Sequence, residues 1–202
     1  MFETLLALIL DAPGAPRERP WIIAVDGRSA GGKSTLAERL ARSMPGAIVV
    51  HTDDVAWHHS FFDWGGLLIA GVLQPLRNGQ SVQYRPPGWE KQGRPGAIEI
   101  AAECPVVLVE GVGASRKELS AWIDRSIWVQ SDLYEAERRG VVRDGGTDEA
   151  HAFWREWMAE EVPFLSRDRP WERASMIVCG TPALDHDPEQ EVRVAPGPLV
   201  RR

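Results

Sequence analysis

The run Gly27, Arg28, Ser29, Ala30, Gly31, Gly32, Lys33, Ser34 and Thr35 satisfies the pattern G-x-x-x-x-G-K-[ST]. It sits between an apolar run, Trp21 to Val25, and a stretch of helical periodicity from Lys33 to Ser43. In that setting the glycines let the backbone curl so that successive N–H groups point inward at phosphate oxygens, and the helix adds the partial positive charge of its N-terminus. Lys33 is expected to reach the β- and γ-phosphates and Ser34 to hold Mg²⁺. A ligand-free glycine turn is the competing explanation; the context and the agreement of all the fixed positions weigh against it. The loop therefore implies a bound nucleoside triphosphate.

A chain of 202 residues with 44% hydrophobic and 26% charged residues can bury one α/β core but not two full-sized ones. One domain is expected, with 1–20 an N-terminal helix and linker, 21–181 the core and 182–202 a loose C-terminal tail. The net charge of −6 argues against nonspecific nucleic-acid binding. Leu5 to Leu10 is too short to span a membrane and reads as an amphipathic helix on the domain. It leads into a turn-rich linker from Asp11 to Pro16. Cys104 and Cys179 show no metal-ligand spacing and read as reduced thiols, so a cytoplasmic setting is expected.

Alternation of strand and helix signals predicts a doubly wound, mainly parallel sheet. Strands are expected at 21–25, 47–50, 105–109, 126–130 and 175–179, a helix at 67–76, and two arginine-bearing helical stretches across 132–165. Residues 81–96 read as an excursion over the active face, and the alternation Val192-Arg193-Val194 as an edge strand.

Phosphoryl transfer needs an anion cradle, a metal, a nucleophile with its base, and cations for the spreading charge. Glu110 follows the apolar run 106–109, where an acidic residue can hold Mg²⁺ directly or through water; an acidic cap is the plain alternative. Asp53, at the expected end of the second strand, can face the γ-phosphate and accept a proton from a substrate hydroxyl, or can simply cap a turn. Ser34, Glu110 and Asp53 form the candidate metal set. Arg139 and Arg143 are four apart and share a helix face, so they can close on phosphates as a lid or pair with Glu135 and Glu137. Trp57, Trp64, Tyr84 and Trp89 flank the expected pocket, where flat rings can stack on an acceptor or pack the core. None of the histidines shows a partner pattern.

With these positions assembled, the stretch from Trp21 to Thr181 resembles the uridine kinase and phosphoribulokinase-like group of P-loop kinases, which includes nicotinamide riboside kinase. His51-Thr52-Asp53-Asp54 looks like that group's S-x-D-x segment, whose aspartate is the catalytic base. Leu73 to Gly79, followed by Val82-Gln83-Tyr84, is similar to its L-x-x-L-x-x-G helix end and substrate-contacting tyrosine. Val107 to Gly111 is similar to its V-L-F-E-G strand, Arg139 to Asp144 to its R-R-x-x-R-D lid helix, and Val162-Pro163 falls where a V-x-P element follows. The resemblance implies a P-loop NTPase three-layer sandwich with a mainly parallel five-stranded sheet and a helical lid. It also implies ATP and Mg²⁺, and a catalytic group of Asp53, Lys33 and Arg143.

The departures concern the acceptor. The group's Y-D-F-x-x-H segment reads Tyr84-Arg85-Pro86-Pro87-Gly88-Trp89, without the acidic residue and histidine that hold a nucleoside. Gly140 replaces the second lid arginine, the following R-G-R reads Gly145-Gly146-Thr147, and the aromatic pair after the base is Val55-Ala56, with Trp57 displaced by one. The expectation is a kinase whose acceptor is a nucleoside, sugar or vitamin-like metabolite, with self-association left open. A nucleotide-binding module or slow ATPase acting as a switch for a protein partner is the other reading.

Overall fold

The computed structural model describes residues 5–7, 9, 18–182, 187 and 191–197. Its centre is β1 (Trp21–Gly27), buried along its whole length. Continuous burial of an Ile- and Val-rich strand is the mark of a parallel sheet covered on both faces. Here Ile22 and Ala24 enter one apolar cluster and Trp21, Ile23 and Val25 the other. The phosphate loop leads into α1 (Lys33–Ser43), whose Leu36, Ala37 and Leu40 lie on the second cluster. Next come β2 (Ile48–His51), the one-turn α2 (Thr52–Ala56), and a helical stretch, α3, over 65–77 that widens into a π turn at Ile69–Leu73. A hairpin of β3 (Val82–Tyr84) and β4 (Ile98–Ile100) encloses the short α4 (Pro87–Lys91). The chain then runs through β5 (Val106–Glu110), β6 (Arg125–Gln130), the lid helices α5 (Leu133–Arg143) and α6 (Asp148–Asp168), β7 (Met176–Cys179) and β8 (Val194–Pro196).

The main sheet has the order β2-β5-β1-β6-β7-β8. All its pairings are parallel except that of β8 with β7. The five expected parallel strands are thus joined by an antiparallel sixth, which lies slightly later than the 192–194 alternation. Because β1 is central, its carboxyl end opens between β5 and β6, where ligands bind in open α/β sheets. Residues 5–7 and 9 are helical, with Leu5 and Ile9 buried in the α1-side cluster. Leu10, the linker 11–16 and much of the tail lie outside the described residues. Both cysteines are free, Cys104 buried and Cys179 partly so. Among the described residues no helix is long and apolar enough to cross a membrane.

Asp124 fastens the amino end of this sheet. It accepts two hydrogen bonds from Arg19, at 2.7 and 2.8 Å, one from Arg77 at 3.1 Å and one from the Ile22 N–H at 2.9 Å. Burial by itself pushes its carboxyl upward, but Arg19, the Ile22 N–H and Arg77 outweigh that and hold it below the usual aspartate value. A depressed folded-state pKa stabilises above the unfolded value of about 3.9, and that stabilisation disappears as pH falls through the folded value. Asp124→Asn should cost about 1.5–3 kcal/mol in urea unfolding at neutral pH. The gap from wild type should narrow below about pH 4; an undiminished gap in acid would contradict this reading.

Candidate active site

The loop after β1 takes its shape from close approaches that side chains would block. A Cβ on Gly27 would press to 2.6 Å from the Val129 carbonyl, and one on Gly31 to 2.9 Å from both the Arg28 carbonyl and Ser131 Oγ. Gly32, the residue before α1, has φ 96°, and Ala30 enters the left-handed region at φ 54°. Alternation of this kind turns successive N–H groups to one side, which makes an anion nest. Lys33 is buried and its Nζ donates to the Arg28 carbonyl at 2.9 Å, so the ammonium folds back across the loop.

Behind the loop stands Asp26, fully buried. It accepts from the N–H groups of Gly27, Gly113 and Ser115 at 2.7, 2.8 and 2.9 Å, and from Ser115 Oγ at 2.7 Å. Burial pushes its carboxyl upward against the opposing pull of these bonds. The carboxylate thereby ties the start of the phosphate loop to the segment after β5. A charged residue inside an otherwise apolar strand was the sequence signal for it.

Glu110 ends β5, in register with His51 on one side and Val25 on the other. Its Oε1 accepts from Ser34 Oγ at 3.2 Å, and its Oε2 lies 2.7 Å from His51 Nδ1. The hydrogen bond to Glu110 raises the His51 pKa, against burial, with Asp54 and Asp53 adding to the upward pull. His51 therefore orients the candidate metal-binding carboxylate, a role the sequence did not reveal. Ser34 and Glu110 supply oxygen donors of the hard type that Mg²⁺ takes, with Asp53 close enough to Glu110 for the two carboxylates to interact by charge. The set suits that ion. Among the described residues no group of three or more His, Cys, Asp or Glu forms a dedicated metal cage. Mg²⁺, which usually keeps several waters and is shared with phosphates, needs none.

Asp53 differs from expectation in its backbone. The strand stops at His51 and a helical turn begins at Thr52, placing Asp53 and Asp54 in the first turn of α2. Thr52 is buried directly against Gly111, where any Cβ would overlap its side chain. Asp53 opens into a cavity of about 500 Å³ that it shares with the loop residues Ser29 to Thr35, with Glu110, and with Arg139 and Arg143. Desolvation by the cavity walls raises its pKa; Lys33 opposes that, Glu110 adds to it, and His51 and Arg143 oppose it more weakly. The predicted cradle, base, metal carboxylate and lid arginines thus line one cavity.

The lid is built differently from a free arginine face. Arg139 donates to Glu135 Oε1 at 2.7 Å and to the Gly180 carbonyl at 3.0 Å, while Arg143 makes a two-pronged pair with Asp144 at 2.8 and 3.0 Å. Arg138 joins Glu135 on the outer surface. An aromatic part of the cavity wall was not foreseen: Phe153, Trp154 and Trp157 of α6. Gly140 makes room for it, since a Cβ there would collide with the Trp154 ring.

The aromatics expected at the acceptor do not line this cavity. Trp89 is 6% exposed, donates Nε1 to the Asp54 carbonyl at 2.8 Å, and carries the Arg94 guanidinium 3.7 Å above its ring. Arg94 in turn pairs with Asp54 at 2.8 Å. Trp89 thus braces the backbone beside Asp53. Tyr84 is partly buried over Gly71, and Trp57 is 36% exposed with its edge to His58.

Comparison with solved structures places this architecture. A structure from Bacillus stearothermophilus described as a possible uridine kinase superposes with a TM-score of 0.58, covering 87% of this chain and 95% of that one at 19% identity. This is the fold of the uridine kinase-like P-loop kinases. The same kinase fold appears in a protein from Silicibacter sp. TM1040 provisionally named a fructose transport system kinase, with a TM-score of 0.59 over 86% of this chain and 95% of that one at 23% identity. In sequence the chain is similar to nicotinamide riboside kinase 1 of Rattus norvegicus, 28% identical over 62% of this chain and 67% of the relative. It is also similar to that of Homo sapiens, 28% identical over 62% and 66%. The match spans about two thirds of these relatives' length. No protein-family model matches the sequence.

Proposed function

We propose that this chain is an ATP- and Mg²⁺-dependent kinase that phosphorylates a hydroxyl of a small metabolite of the nucleoside, sugar or vitamin-like type. The observation that carries the reading is that the Asp53 carboxyl and the phosphate-loop residues open into one cavity. Likeness to nicotinamide riboside kinase and to sugar and uridine kinases supports it.

When bound, ATP supplies the phosphoryl group and Mg²⁺ offsets charge on its oxygens. The loop amides and Lys33 hold the polyphosphate, and Ser34 and Glu110, oriented by His51, hold the metal. Asp53 accepts the proton as the acceptor oxygen bonds to phosphorus and the bond to the leaving ADP breaks. Arg143 adds positive charge at the closing side, and each such contact is worth about 3–4 kcal/mol in the transition state. Trp57 and Tyr84 lie outside the cavity, so the proposal assigns the acceptor no contact with them.

Because desolvation raises the Asp53 pKa, the base is lost at a higher pH than an ordinary aspartate would be. The acid limb of kcat/KM should inflect above about 4 and disappear in Asp53→Asn; a profile flat to that pH would contradict the assignment.

The pairing of Arg139 with Glu135 and Arg143 with Asp144 favours a second reading, in which a restrained lid makes the chain a slow ATPase switch for a protein partner. ATP consumption with and without a pool of small hydroxylated metabolites separates the two. Acceptor-dependent turnover supports the kinase. Acceptor-independent hydrolysis, with a protein retained on the nucleotide-loaded chain, supports the switch.

A further inference from the structure

Glu161 lies on α6, a helix whose outward faces are densely charged, yet its side chain is fully buried. Burying a carboxylate is costly unless its oxygens are satisfied. One oxygen, Oε2, accepts from Trp157 Nε1 at 2.6 Å, one turn back on the same helix, and from the Ser29 N–H of the phosphate loop at 3.2 Å; Oε1 lies 3.4 Å from that same N–H. The next loop residue, Ala30, holds the left-handed conformation that side chains disfavour, and it packs against Val141, Ala150 and Trp154 of the lid. The lid thus grips two consecutive loop residues, one through a carboxylate and one through apolar contact.

Resting on the nucleotide-binding reading above, we infer that Glu161 is a positioning residue for the phosphate cradle. It takes up the Ser29 N–H from outside the nest, fixes the Ser29–Ala30 peptide, and so keeps the following amides convergent on the anion. Trp157 fixes the carboxylate and also lines the cavity, so the chain Ser29, Glu161, Trp157 connects loop shape to the lid wall. A negative charge beside an anion site would otherwise oppose binding. The inference therefore rests on acceptor geometry rather than charge, and glutamine, which keeps one accepting oxygen, should serve.

The test is calorimetric titration of the full chain with MgADP, with thermal unfolding measured in parallel. Glu161→Ala should weaken MgADP binding by about tenfold or more, because a misplaced cradle loses several contacts together. Glu161→Gln should stay within about threefold of wild type, a rescue that a purely electrostatic role does not provide, and the alanine variant's loss of affinity should exceed what its thermal unfolding explains, which a bulk-stability role does not provide. Trp157→Phe, which leaves the carboxylate and removes its clamp, should weaken binding by an intermediate factor, and it keeps the question open to measurement if the alanine variant does not fold. Wild-type affinity in folded Glu161→Ala or in Trp157→Phe overturns the inference, as does a glutamine variant as weak as the alanine one. A wild-type chain that binds no MgADP overturns the nucleotide reading itself, a distinct result from tight wild-type binding left unchanged by the substitutions.

Discussion

Asp53→Asn should lower kcat for the phosphorylated acceptor by about 10²–10⁴-fold while leaving MgATP affinity within about threefold. Asparagine has nearly the same shape and still accepts a hydrogen bond, so the acceptor hydroxyl can bind, but it cannot take the hydroxyl proton. The residue sits in the first turn of a five-residue helix whose first residue, Thr52, is locked against Gly111, so the backbone should hold through the substitution. On the proposed function nucleotide contacts come from the loop and Lys33, with which Asp53 interacts by charge. Steady-state kinetics joined to equilibrium nucleotide binding checks both halves. Near-wild-type turnover would remove Asp53 from the mechanism, and a large loss of MgATP affinity would recast it as part of the nucleotide site.

Lys33→Met should lower kcat/KM by at least about 10²–10³-fold, with weakened MgATP binding contributing part of the loss. In the proposed function Lys33 differs from Asp53 in acting on both ground state and transition state, since its ammonium lies within the loop, where it would neutralise phosphate charge throughout. Methionine keeps much of the buried stem, so packing is largely retained while the charge and the bond to the Arg28 carbonyl are lost. Thermal unfolding should shift by far less than catalysis. A variant with intact turnover, or one whose loss is matched by global unfolding, would contradict the role.

The phosphate loop was readable because its determinants are local: a buried strand, glycines at close approaches, a lysine and a hydroxyl at fixed spacing. Glu110 was readable for the same reason, as a charge ending an apolar run, and the register of β5 with β1 and β2 carries it to Ser34 and His51. The position of Asp53 was legible but its helical turn was not, because that turn depends on Thr52 meeting Gly111, far away in sequence. Trp89 looked like an acceptor platform until Arg94 and Asp54 proved to be its partners; a Pro- and Gly-rich excursion does not reveal which face its rings present. The spacing of Trp157 and Glu161 put them one turn apart on a helix, but only tertiary packing brings that carboxylate to the Ser29 N–H. The edge strand β8 was legible as an alternation, and its antiparallel sense was not.

The most direct measurement follows the terminal phosphoryl group itself. With ATP labelled in the γ-phosphate, Mg²⁺ and a pool of hydroxylated metabolites, the label should move into an organic phosphate ester, and Asp53→Asn should slow that transfer by about 10²–10⁴-fold. Label released only as inorganic phosphate, at a rate indifferent to the pool, would contradict the kinase account.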